Sequence, residues 1–328
     1  MKTEECLKRE EILFDELFYE ELSENKNICC SLALAPNNQL FALKKLGSYN
    51  DAYDSLYIYN HNLQKISSFF CGNGGEQGLV FWPDNQHILT GGYTRSNVDN
   101  EKGKLDGLKL FDIYNPDIFI NPFLELKLKE ISTIHCEVNI SSSDGQYILV
   151  SNHDQILIDT INLKWWKVHF ESRPIAFSEQ NKYLLTSLHG NYYIYDVEKR
   201  ELVFSGFGFL GYSPTSNTLY THEYSNNQWV IREQTIEGEF VRRINYNPKG
   251  LSTNVSLDNQ WMAFGFSNGS LCVINLNDPS QIFSYHETTK TSRFIINRGY
   301  GHQEIYFLSN SRFVIVHYWG LGIRIFEY

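Results

Sequence analysis

The chain has 328 residues, 42% hydrophobic and 15% aromatic, enough to build a packed core and to exclude a disordered chain. Its net charge is −10 and no run of Lys or Arg stands out, which argues against nucleic acid or an anionic membrane surface as the partner. No stretch approaches the roughly 18 apolar residues of a membrane span, and Met1–Glu10 lacks the apolar run of a secretory signal, so a cytoplasmic protein is expected.

With 21 Tyr and 22 Phe against 2 Met, the composition favours strands. The six cysteines form no C-x-x-C pair, and buried reduced thiols are expected. Residues 1–11 read as a charged tail. Ile12–Tyr19 then reads as a strand that completes the last sheet, in preference to an amphipathic helix carrying Leu13, Phe14, Leu17, Phe18 and Leu22.

From there a degenerate repeat organises the chain. A short apolar run meets a polar turn, and a second apolar run follows at once. The turns are centred on Pro36-Asn37-Asn38, Pro83-Asp84-Asn85, Ser143-Asp144-Gly145, Glu179-Gln180-Asn181, Pro214-Thr215-Ser216, Leu257-Asp258-Asn259 and, most weakly, Ser309-Asn310-Ser311. Pro presets φ, Asp and Asn bond their own backbone, and Asn or Gly tolerates positive φ. Second strands are predicted at Leu40–Leu46, His87–Thr90, Tyr147–Ser151, Tyr183–Ser187, Thr218–His222, Trp261–Phe266 and Phe313–Tyr318. Third strands follow at Ser55–Tyr59, Gly107–Ile113, Ile156–Ile161, Tyr192–Val197, Trp229–Glu233, Leu271–Leu276 and Ile323–Tyr328. Three longer segments interrupt the pattern, at Tyr93–Asp106, Pro122–His135 and His286–Tyr300.

The aromatic-Asp strand endings Phe111-Asp112 and Tyr195-Asp196, the turn Ser143-Asp144-Gly145 and the pair Gly301-His302 resemble the WD-repeat family from about residue 28 to residue 328. The resemblance implies an all-β fold, a seven-bladed β-propeller of four-stranded antiparallel blades. It would be one domain over 1–328, with the ring closed by the N-terminal strand. The family's complete signature is missing, since no repeat holds both Gly-His and Trp-Asp.

No catalytic or metal constellation is found. Histidines are scattered, His135 followed by Cys136 being the nearest approach to a metal pair, and Gly72-Asn73-Gly74-Gly75 lacks the setting of a phosphate loop. No cofactor is expected.

The resemblance implies a non-enzymatic protein–protein interaction module, a scaffold whose partner docks on one face. By the family's geometry that face would carry Tyr49, Tyr53, His153, His189, Tyr224, Phe266, Tyr318 and Trp319. The acidity suits a basic protein partner. Two rival readings stay open. One is a propeller enzyme (lactonase-, lyase- or hydrolase-like) with a central-channel site, for which Asn139 and Asn254 are the polar exceptions on the first strands. The other is an acidic inhibitor or immunity-type protein that binds a basic toxin.

Overall fold

A computed structural model describes residues 5–6, 8–10, 30–37, 39–45, 54–72, 78–90, 109–115, 119–120, 137–151, 155–170, 172–247, 252–256, 258–266, 270–285, 303–308, 313–318 and 322–327. The arrangement is an all-β propeller of four-stranded antiparallel sheets, in two compact units at 24–174 and at 1–23 with 175–328. Among the described residues the one helix is a single 3-10 turn at Glu179–Asn181, and no helix is long and apolar enough to cross a membrane.

The 24–174 unit holds three sheets. The first is β3 (Cys30–Leu34), β4 (Leu40–Lys45), β5 (Asp54–Asn60) and β6 (Lys65–Gly72). The second is β7 (Leu79–Phe81), β8 (His87–Thr90), β9 (Lys109–Asp112) and β10 (Phe119–Ile120), and the third is β11 (Glu137–Ser141), β12 (Tyr147–Ser151), β13 (Gln155–Asp159) and β14 (Lys164–Val168).

The other unit holds β15 (Arg173–Phe177), β16 (Tyr183–Leu188), β17 (Asn191–Asp196) and β18 (Glu201–Phe207), then β19 (Phe209–Ser213), β20 (Thr218–Ser225), β21 (Gln228–Thr235) and β22 (Phe240–Ile244). Next come β23 (Ser252–Val255), β24 (Trp261–Gly265), β25 (Leu271–Asn275) and β26 (Ile282–Tyr285), and finally β27 (Gln303–Phe307), β28 (Phe313–Tyr318) and β29 (Gly322–Glu327).

Two short strands from the chain start join these last sheets. β2 (Lys8–Glu10) pairs antiparallel with β29, setting Lys8 opposite Glu327. β1 (Glu5–Cys6) pairs in parallel with β26, setting Glu5 opposite Phe283. Among the described residues six sheets are therefore four-stranded antiparallel blades, not the expected seven, because the sheet of β23 to β26 gains β1 as a fifth, parallel strand. The strand that pairs with the C-terminus lies within the predicted tail, at Lys8–Glu10. The expected strand at Ile12–Tyr19 falls outside the described residues, as do the three long segments.

Packing explains why the strands read as continuous apolar runs. In β7, Phe81 packs with Ala33, Ala42 and Leu56 of the preceding sheet, while its neighbour Val80 packs with Val138, Ile148 and Ile158 of the following one. Successive side chains of a strand point to opposite faces, so a sheet covered on both faces needs an apolar residue at every position. The other unit repeats this: Tyr183 and Ile194 meet Tyr212 and Leu219, and Tyr220 and Ile231 meet Met262 and Phe264.

The turns are held by their own side chains. Ser142 Oγ donates to Asp144 Oδ1 (2.7 Å), and the N–H groups of Gln146 and Tyr147 donate to Asp144 Oδ1 and Ser142 Oγ. Ser256 and Asp258 repeat these contacts with Gln260 and Trp261. The fourth position of these turns takes positive φ at Asn85 (59°), Gly145 (73°), Asn181 (56°) and Asn259 (59°), and in the turn that starts at Ser213 the fifth position does, at Asn217 (54°).

A second device recurs at the end of the third strand. Asn60, Asp112, Asp159 and Asn275 each accept backbone N–H groups two residues on, while Asp196 accepts that of Lys199 three residues on. Such an Asx turn satisfies the backbone where the chain reverses into the outer strand. Of the two polar exceptions, Asn139 Oδ1 accepts Ser151 Oγ at 2.5 Å, and Asn254 Nδ2 donates to Ile305 O of the next sheet at 2.5 Å. The first joins paired strands of one sheet, and the second ties neighbouring sheets together.

Candidate interaction surface

The strand ends of β16 to β21 carry the most developed exposed cluster among the described residues. At the β16–β17 hairpin, His189 (φ 51°) and Gly190 (φ 78°) take the two left-handed positions that suit a tight turn between twisted strands. Gly190 O then accepts two N–H groups from the next connection, Gly208 at 2.7 Å and Phe209 at 2.9 Å. Gly208 O in turn accepts His222 N at 2.7 Å.

Gly208 has no substitute here. Its φ is 85°, and a Cβ would lie 2.7 Å from the backbone oxygen of His222. This close approach sets Phe207 beside β20, where its ring meets His222 edge-on at 5.5 Å.

The β20–β21 hairpin extends the cluster. Asn226 (φ 50°) and Asn227 (φ 62°) form its turn, which pairs Tyr224 directly opposite Trp229. Their rings meet edge-on at 5.3 Å, and Trp229 meets His222 at 4.9 Å. Phe207, His222, Trp229 and Tyr224 thus form one aromatic ridge. Phe207 is 63% exposed, Tyr224 59% and Trp229 42%. Burial among these rings holds His222 below the ordinary imidazole pKa.

The opposite face of β20 is polar. Arg243 Nη2 and Nε both donate to Glu223 Oε1 (2.7 and 3.1 Å), Glu223 Oε2 lies 3.5 Å from Arg232, and both guanidinium groups sit over the Phe240 ring. These contacts lock β20, β21 and β22 together, so the ridge stands on a braced support.

Of the residues expected on the binding face, His189 and Tyr224 fall on this end of their sheets, both exposed. Tyr224 lies inside β20 and not in a loop, because the strand runs to Ser225. Phe266 follows β24, is half-buried and packs against the cluster that includes Met262 and Phe264, so it is a core-edge residue. Tyr318 closes β28, its backbone paired with Gln303 and Gly322. Tyr49, Tyr53, His153 and Trp319 lie outside the described residues.

Phe207, His222 and Trp229 were not expected at this surface. The dipeptide Asn226-Asn227 carried the signal for one of them, since a two-residue turn there sets Tyr224 against Trp229.

Among the described residues no group of three or more His, Cys, Asp or Glu could hold a metal ion. No protein-family model matches the chain, and no curated protein matches it.

Proposed function

We propose that this protein is a non-enzymatic interaction module related to WD-repeat propellers, which presents its aromatic ridge to another protein. The observation that carries this reading is the ridge itself. Three large rings, Phe207, Tyr224 and Trp229, stay exposed yet are held by strand pairing and by one another.

Aromatic anchors on rigid elements dominate the energetics of protein interfaces, because they bury much apolar area while losing little side-chain freedom. The Asx turns at Asp112 and Asp196 support the family relationship, since these are the residues that end the WD-like strands. The net charge of −10 favours a partner with a basic rim around its apolar contact.

The test is a comparison of wild-type protein with Phe207→Ala and Trp229→Ala as bait in extracts of the native host, followed by calorimetry with the purified partner. A partner retained by wild type and lost from both variants, whose thermal melts stay near wild type, supports the reading. Equal retention by all three proteins removes the ridge as the docking surface.

A further inference from the structure

A pocket of about 350 Å³ opens between the turn ends of the first two sheets of the 24–174 unit. Among the described residues one bond joins its walls: Asn37 N, in the β3–β4 turn, donates to Asn85 Oδ1, in the β7–β8 turn, at 3.2 Å. Backbone bonds from His61 N to Gln39 O (2.8 Å) and from Ile113 N to Gln86 O (2.9 Å) fix the flanking turns.

Many of the polar groups around this pocket are spent on the turns themselves. Asn37 Oδ1 accepts Gln39 N, Asn60 Oδ1 accepts two N–H groups, and Asp84 accepts Gln86 N, His87 N and the His87 ring. Among the described residues the side chains of Gln39, Gln86, His61 and Tyr114 form no such bond, and all four line the pocket. Tyr114 is 58% exposed, which leaves its ring available as a platform.

This lining selects its ligand by elimination. Among the described residues no Lys or Arg lines the pocket, so a phosphate or carboxylate would find no cation there. Asp84, the single carboxylate among the described lining residues, already accepts three donors, so a cation would find no ready carboxylate. Among the described lining residues Leu40 is the one aliphatic side chain, too little for a hydrocarbon ligand. What remains is two amides and an imidazole, able to donate and to accept, beside one aromatic ring. Sugar hydroxyls also donate and accept, and the C–H face of a pyranose stacks on such a ring. The volume lies at the small end of ligand pockets.

We propose that this pocket binds a neutral sugar of one or two rings. The site is independent of the aromatic ridge.

The test uses the full chain and saturation-transfer NMR with glucose, galactose, N-acetylglucosamine, maltose and cellobiose, followed by titration with the strongest binder. At least one sugar is expected to bind. Gln86→Ala and Tyr114→Ala are expected to weaken it by about tenfold or more. Both substitutions leave the turn bonds in place, and a thermal melt checks each variant. Gln39→Ala is read in place of any variant whose melt falls. No signal from any of the five sugars overturns the proposal. So does binding that persists unchanged in the variants, or displacement of the sugar by inorganic phosphate.

Discussion

Tyr220 Oη donates to Asn259 Oδ1 at 2.6 Å, from the second strand of one sheet to the first turn of the next. The phenol is buried, and burial together with the nearby Glu233 pushes its pKa well above the ordinary tyrosine value. Asn259 sits at positive φ, so this bond braces a turn that side chains rarely favour. Tyr220→Phe should cost about 1 kcal/mol in urea unfolding, the net worth of one buried hydrogen bond.

The same tyrosine predicts alkaline behaviour. A phenol whose pKa is raised on folding contributes stability below the unfolded value of about 10, and loses it as pH rises beyond that point. Tyr212 and Tyr246 are pushed up by burial as well. Ultraviolet titration of the folded protein should show a late group of tyrosines that ionise together with unfolding. A smooth titration at the ordinary tyrosine value would contradict this.

His222 makes the opposite prediction on the acid side. Burial lowers its pKa, so the folded state resists protonation more than the unfolded chain does. Stability is complete above the unfolded value of about 6.5 and falls as pH drops below it. Urea midpoints measured from neutral to mildly acidic pH should decline through this window, and His222→Gln should lessen the slope.

The ridge pair Tyr224 and Trp229 should be coupled. A double-mutant cycle to alanine should give about 0.5–1.5 kcal/mol, as edge-on aromatic pairs do. Additive losses would mean that the rings stand independently.

Gly208→Ala should be the most damaging single change near the ridge. It combines a φ of 85° with a backbone clash at 2.7 Å, and about 1–3 kcal/mol of strain is expected. The measurement is the unfolding free energy, with tryptophan fluorescence reporting displacement of Trp229.

How much of this was legible follows from what is local. The turns were, because Ser142, Asp144 and Gly145 act through contacts within a few residues, and the second strands at His87–Thr90 and Tyr147–Ser151 match the structure residue for residue. The fifth strand was not. Glu5–Cys6 is two residues in a charged segment, and parallel addition to a sheet edge leaves no local pattern. At the surface, ending the second strand at His222 hides the pairing of Tyr224 with Trp229, since β20 continues three residues further. Phe207 depends on Gly208 meeting His222 from another sheet, a contact that no spacing rule reveals.

The pairing of Lys8 with Glu327 has a consequence for biosynthesis. Translation releases residues 8–10 well before the strand that they pair with. Residues 8–10 therefore emerge long before the edge they complete exists, and that sheet can be finished only after Gly322–Glu327 clears the ribosome. A nascent chain stalled before residue 322 would carry an incomplete last sheet, and arrest at successive lengths should show protease resistance of that sheet arriving in one late step.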